Sequence, residues 1–143
     1  MSTLLTHLRI SVYVLSAGLL LGQSARSVWD GVYTPEQAAR GSALYSSRCA
    51  SCHGTVLTGG ESAPPLAGGD FLSNWYGLTA GDLFDRIRIS MPANSPGSLK
   101  RDEVADVLAF ILSTNQFPAG KTDLERETEA LKQIRIEPKR DGK

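Results

Sequence analysis

Cys49-Ala50-Ser51-Cys52-His53 constrains this chain more than any other stretch of its 143 residues. Two thiols three positions apart near a helix end can reach the two vinyl groups of one porphyrin, and the adjacent imidazole then lands beneath the iron as a proximal ligand. A chain built this way folds around a covalently held haem. A disulfide, a thioredoxin-like redox pair and half of a zinc site are the other uses of CxxC, and each needs something missing here. Zinc asks for four ligands, and no further Cys or His follows His53. A redox CxxC accompanies a βαβ pattern in the cytosol, and this chain reads as neither.

The N-terminus points to export. Arg9 precedes an uncharged apolar run, Ile10 to Gly22, and Ser24-Ala25-Arg26-Ser27 follows with small side chains. The pattern is that of a secretory signal peptide over residues 1–25, with cleavage falling between 25 and 27. The run of 13 residues is shorter than the roughly 20 of a bilayer-spanning helix, so retention as a membrane anchor is the weaker alternative. A periplasmic or otherwise exported location agrees with the CxxC thiols, which are prone to oxidation there unless haem takes them.

Removing residues 1–25 takes away one of the 15 Lys+Arg and none of the 15 Asp+Glu, leaving a formal charge of −1. Nucleic-acid binding, which needs a basic patch or stripe, loses its argument, and long-range electrostatic steering is weak. The remaining length, about 118 residues, suits one domain. Its apolar content is modest and its loops are rich in Gly and Pro, so a central porphyrin supplies much of the core. The polypeptide without haem is therefore expected to be largely unfolded.

Three helices are legible. Thr34-Pro35-Glu36-Gln37 is a helix start, with Thr34 as cap, Pro35 in the first turn and Gln37 completing a capping box; the helix runs to about Cys49. Gly41 in its middle costs stability unless another backbone passes close by. The natural partner is Glu103 to Ser113, where Val104, Val107, Leu108, Ile111 and Leu112 form one apolar face and Phe110 adds a ring. Ser98 is a candidate cap for it, since Lys100 stands where a capping box wants Ser or Thr. A middle helix from Thr79 to about Ile89 opens on Thr-Ala-Gly-Asp, with Leu83, Phe84, Ile87 and Ile89 as its buried side. The only strand-like stretch is Ile134-Arg135-Ile136.

Helix, CxxCH, loop, middle helix, Met-containing loop and last helix follow in the order of a class I, single-haem cytochrome c, which residues 28–117 resemble. The resemblance implies an all-α class I cytochrome c fold, three main helices and loops wrapped around one covalent haem, with the first and last helices crossing near Gly41 and Tyr45 against Val107 and Phe110. Gly59-Gly60, Ala63-Pro64-Pro65-Leu66, Asn74-Trp75 and Ser90-Met91-Pro92 are similar to cytochrome domains fused to or partnering periplasmic quinoprotein dehydrogenases.

Ser90-Met91-Pro92 lies where that family places its distal thioether, and apart from His53 and Met91 no Met or His remains after residue 25. Elsewhere such a Met would read as a core gap-filler; Lys100 or Lys121 would first have to lose a proton. His53 and Met91 are thus the expected iron ligands, with Cys49 and Cys52 as the attachment points. The resemblance further implies that the Pro65 backbone carbonyl holds the second His53 ring nitrogen, although Pro65 can equally be a loop stiffener. Trp75 either gives its indole N–H to a haem propionate or packs on the ring. Arg86 and Arg88 read first as a solvated face.

In the charged extension over residues 118–143, Asp123 to Gln133 can form a short helix, but Leu124 and Leu131 make only a sparse stripe, so the extension reads as surface-draped or partly mobile. The function expected is single-electron transfer, not catalysis, between a donor such as a quinoprotein dehydrogenase and an acceptor such as a terminal oxidase or another cytochrome. A haem sensor or peroxidase-like enzyme with a dissociable Met91, and a membrane-tethered cytochrome subunit of a dehydrogenase complex, are the alternatives.

Overall fold

The computed structural model describes residues 25–139. The expected leader lies, except for Ala25, outside the described residues. The chain order is a short strand β1 (Arg26–Ser27), a 3-10 turn (Val28–Asp30), then α1 (Pro35–Arg48), α2 (Ala50–His53), α3 (Gly69–Trp75), α4 (Ala80–Ser90), α5 (Arg101–Thr114), α6 (Thr128–Leu131) and β2 (Ile134–Arg135). Among the described residues no helix is long and apolar enough to cross a membrane.

α1 starts where its sequence says. Thr34 accepts from the Gln37 N–H at 3.1 Å and Pro35 occupies the first turn. Gln37 does not close the capping box, however. Its side chain is buried and holds the Leu124 backbone with two bonds, Nε2 to Leu124 O at 3.1 Å and Leu124 N–H to Oε1 at 2.6 Å. A buried amide needs all its groups satisfied, and a backbone 87 residues away offers both partners at once.

The crossing that Gly41 demands is present. A Cβ on Gly41 would lie 1.8 Å from Asp106 O and 2.9 Å from Phe110 Cβ, so the α1 and α5 backbones touch where only glycine fits. Tyr45 and Phe110 stack beside it with ring centroids 5.3 Å apart, and Arg40 bonds Asp106 in a bidentate pair at 3.0 and 3.1 Å. The closest backbone is that of Asp106 rather than Val107. α5 begins at Arg101; its cap is Lys100, not Ser98, and Glu103 accepts from the Lys100 N–H at 2.7 Å.

α4 opens on a full capping box: Thr79 Oγ1 accepts from Asp82 N–H at 3.1 Å, and Asp82 accepts from Thr79 N–H at 2.9 Å. The Thr79 hydroxyl also donates to Asp82 Oδ2 at 2.7 Å, and this bond, with that from the Thr79 N–H, holds the Asp82 carboxyl below the usual carboxylate range. Leu83, Phe84 and Ile87 are buried, but Ile89 is 61% exposed. At about 100° per residue, Ile89 stands some 200° round the helix from Ile87, on the side opposite the core.

The C-terminal extension differs most from expectation. Leu124, Leu131, Ile134 and Ile136 are all buried and join the same core as α1, α4 and α5. The extension runs back along the start of the chain. Gly120 N–H donates to Tyr33 O at 2.6 Å, and Gly120 packs so tightly on Gly31 that a Cβ would lie 1.9 Å from the Gly31 carbonyl oxygen. The expected Ile134-Arg135 strand is present as β2, paired in parallel with β1, Arg26 opposite Ile134 and Ser27 opposite Arg135. Trp29 Nε1 then donates to Glu137 O at 2.8 Å.

Candidate haem-binding site

The site begins where α1 ends. Cys49 leaves the helical conformation, its N–H still bonded to Tyr45 O at 2.9 Å, and its carbonyl accepts from Cys52 and His53 N–H at 3.1 and 3.0 Å. Cys49 thus stands immediately before the single turn α2, which carries Cys52 three positions on. Both thiols are free; Cys49 is half-buried and Cys52 exposed. Burial pushes the Cys49 thiol up, partly opposed by the Arg48 charge. Gly54 ends the turn at φ +80°, and Tyr45 Oη donates to its carbonyl at 2.6 Å, fastening α1 to the motif.

His53 is buried, and its Nδ1 lies 2.8 Å from the Pro64 carbonyl oxygen. A carbonyl only accepts, so Nδ1 carries the proton and Nε2 keeps a free lone pair. Among the described residues nothing bonds Nε2. The carbonyl belongs to Pro64, not to the expected Pro65. The loop that carries this carbonyl is held on the motif's side by Leu66 N–H, which donates to Leu57 O at 2.8 Å. Gly59 makes the approach possible. It sits at φ +76°, its N–H bonds His53 O at 2.8 Å, and a Cβ there would lie 2.7 Å from Pro65 N.

Met91 caps the C-terminus of α4 in extended conformation, with its N–H bonded to Ile87 O at 3.0 Å. Trp75 ends α3 with its ring centroid 6.1 Å from that of Phe71. Met91, Trp75, Cys49 and Leu66 are all partly buried against the common core, so four distant stretches of sequence converge on it. Pro65 touches the site only as backbone packed on Gly59. Arg88 pairs with Asp85 at 3.1 Å, whereas Arg86 is exposed and makes no ion pair among the described residues.

Sequence reasoning missed α3 and the role of Asn115. The Asn115 side chain donates to Leu66 O at 2.9 Å and accepts from Gly68 N–H at 3.0 Å, pinning the loop after Pro64-Pro65 to the end of α5. An Asn after a helix carries no such signal on its own.

The donor set fits a covalently held haem: two uncommitted thiols on one turn, and beside them an imidazole with one nitrogen anchored and the other free. Residues 36–111 match the family described as cytochrome c oxidase, cbb3-type, subunit III. The chain belongs to this cytochrome c family. It is 31% identical to the cytochrome bc1 complex cytochrome c subunit of Corynebacterium efficiens, over 76% of this chain and 36% of that protein. It is 33% identical to the subunit of the same name from Corynebacterium diphtheriae, over 63% of this chain and 31% of that one. The chain thus spans about a third of the length of these relatives. A solved chain in the crystal structure of the sulfane dehydrogenase SoxCD from Paracoccus pantotrophus matches at a TM-score of 0.53 and 28% identity, covering 76% of this chain and 61% of that one. The all-α cytochrome c fold, one haem c attached through Cys49 and Cys52, and a role in electron transfer follow from this membership.

Proposed function

We propose that this cytochrome is an exported single-electron carrier whose haem iron is ligated by His53 and Met91, the domain over residues 28–117 carrying the site. The observation that supports it best is the His53 ring: Pro64 O fixes the Nδ1–H tautomer at 2.8 Å and leaves Nε2 free beside the two thiols. Haem bound there supplies an iron that changes by one electron, and a His/Met ligand pair favours its reduced state. The chain's own part is to hold the imidazole, to shield the site with the core packed around Cys49, Leu66, Trp75 and Met91, and to dock donor and acceptor in turn. The donor we infer is a dehydrogenase, in keeping with the likeness to a sulfane dehydrogenase chain and with the quinoprotein-associated pattern of the sequence. The acceptor is a further cytochrome or a terminal oxidase.

A second reading, a cytochrome subunit held within a larger membrane complex, draws on the names of the corynebacterial relatives. Mass spectrometry of the native protein separates the two, since cleavage near residues 25–27 removes the tether. The ligand assignment is tested by the oxidised spectrum: a far-red methionine-to-iron band in the native protein that disappears in Met91→Ala supports it, and a native protein without the band refutes it.

A further inference from the structure

We propose that the segment after Gly120 is a positioning device for Met91, acting through α4; this rests on Met91 being the iron's second ligand. The segment grips α4 at three levels. Before its first turn, Gly77 N–H donates to Ile136 O and Ile136 N–H donates to Leu78 O, each at 2.9 Å. In the first turn, Gly81 lies so close to α6 that a Cβ would sit 2.7 Å from Lys132 N and 2.9 Å from Thr128 O. One turn on, the Thr128 hydroxyl donates to Asp85 Oδ1 at 2.9 Å and accepts from Arg101 Nη2 at 3.2 Å. Three helices meet on that one oxygen.

Arg101 reinforces the junction, donating to Arg126 O at 2.8 Å and lying 5.1 Å above the Phe84 ring. The grip is anchored, because Leu131, Ile134 and Ile136 are each 1% exposed or less. From Asp85 to Met91 is six residues, about 9 Å of continuous helix rise, and the Met91 N–H is still within the helical bonding. A helix held at its start and middle presents its last residue at a fixed place; released at Thr128, it can tilt, and Met91 moves with its end.

The test is imidazole titration of the oxidised, haem-loaded full chain, which reads how readily the thioether is displaced. Thr128→Val removes the hydroxyl at nearly the same size, and Thr128→Ser restores it. T128V is expected to bind imidazole about tenfold more tightly, the scale of one lost hydrogen bond to a charged group, and T128S to match the native protein. Arg40→Gln loosens the same segment at Asp123, before it reaches α4, and also breaks the exposed Arg40–Asp106 pair on α5; it is expected to lower the melting temperature without changing imidazole affinity. Native affinity in T128V, or an equal gain in R40Q, overturns the positioning role. Should T128V not load haem, Asp85→Asn is read by the same criteria. A native protein lacking the far-red methionine band would remove the ligand reading itself, whereas the band together with an unchanged T128V removes only the positioning role.

Discussion

Gly41→Ala tests whether the α1–α5 contact sets the frame of the site. In an open helix the change stabilises by up to about 1 kcal/mol, because Gly is the poorer helix former. Here the new Cβ meets Asp106 O at 1.8 Å and the Asp106 carbonyl carbon at 2.5 Å. Backbone cannot swing aside like a side-chain tip, so the helices must part by roughly 1.5–2 Å to restore ordinary contact. Overpacking of this kind costs about 1–3 kcal/mol. Parting also opens the Tyr45–Phe110 ring pair, whose centroids are 5.3 Å apart, at a cost of about 0.5–1.5 kcal/mol. The net expectation is a loss of about 2 kcal/mol, and at about 4 °C per kcal/mol a fall of roughly 8 °C in melting temperature. Thermal unfolding of the haem-loaded protein, followed by far-ultraviolet circular dichroism, measures it. Ala39→Gly, on the exposed side of α1, calibrates helix propensity alone. A G41A melting temperature at or above native would refute the close-contact reasoning.

Four further outcomes follow from the same geometry. Gly59→Val, at φ +76° and 2.7 Å from Pro65 N, is expected to displace the Pro64 carbonyl and lower the haem content of purified protein, while Gly69→Ala, with open space around it and no positive φ, leaves haem content unchanged. The Cys49→Ala, Cys52→Ala double variant is expected to lack a cooperative melt, and a sharp transition would contradict a haem-dependent core. Burial raises the Tyr45 phenol to about 12, with the nearby Cys49 adding to the shift. The folded state therefore favours the neutral phenol, whose contribution to stability is complete below pH 10 and is lost between about pH 10 and 12; Tyr45→Phe is expected to remove that part of the alkaline loss in pH-dependent melts. Met91→His is expected to lower the reduction potential in spectroelectrochemical titration, since a thioether favours the reduced iron more than a second imidazole does.

The parts legible in the sequence are those written in local chemistry. Cys49 to His53 carries its spacing with it, Thr34-Pro35 and Thr79 to Asp82 carry their caps, and Gly41 asks for a crossing that the apolar face of residues 103–113 can supply. The parts missed depend on which distant backbone arrives. Pro64 rather than Pro65 meets His53, in a loop whose Leu66 N–H is bonded to Leu57 O, a placement that no local residue encodes. Leu124 and Leu131 stand seven apart and Ile134 and Ile136 two apart, too sparse a pattern in a charged stretch to announce a core-facing element, yet all four are buried. The residues that receive this extension, Gln37 at Leu124 and Gly81 at Thr128 and Lys132, read locally as an ordinary capping residue and an ordinary first-turn glycine.

The central claim is that Met91 closes the iron and leaves no substrate site there. Mixing the native reduced protein with carbon monoxide tests it most directly. The account predicts no rapid binding by the native protein and rapid binding by Met91→Ala. Rapid carbon monoxide binding by the native protein would contradict it and turn the reading toward a sensor or peroxidase-like enzyme.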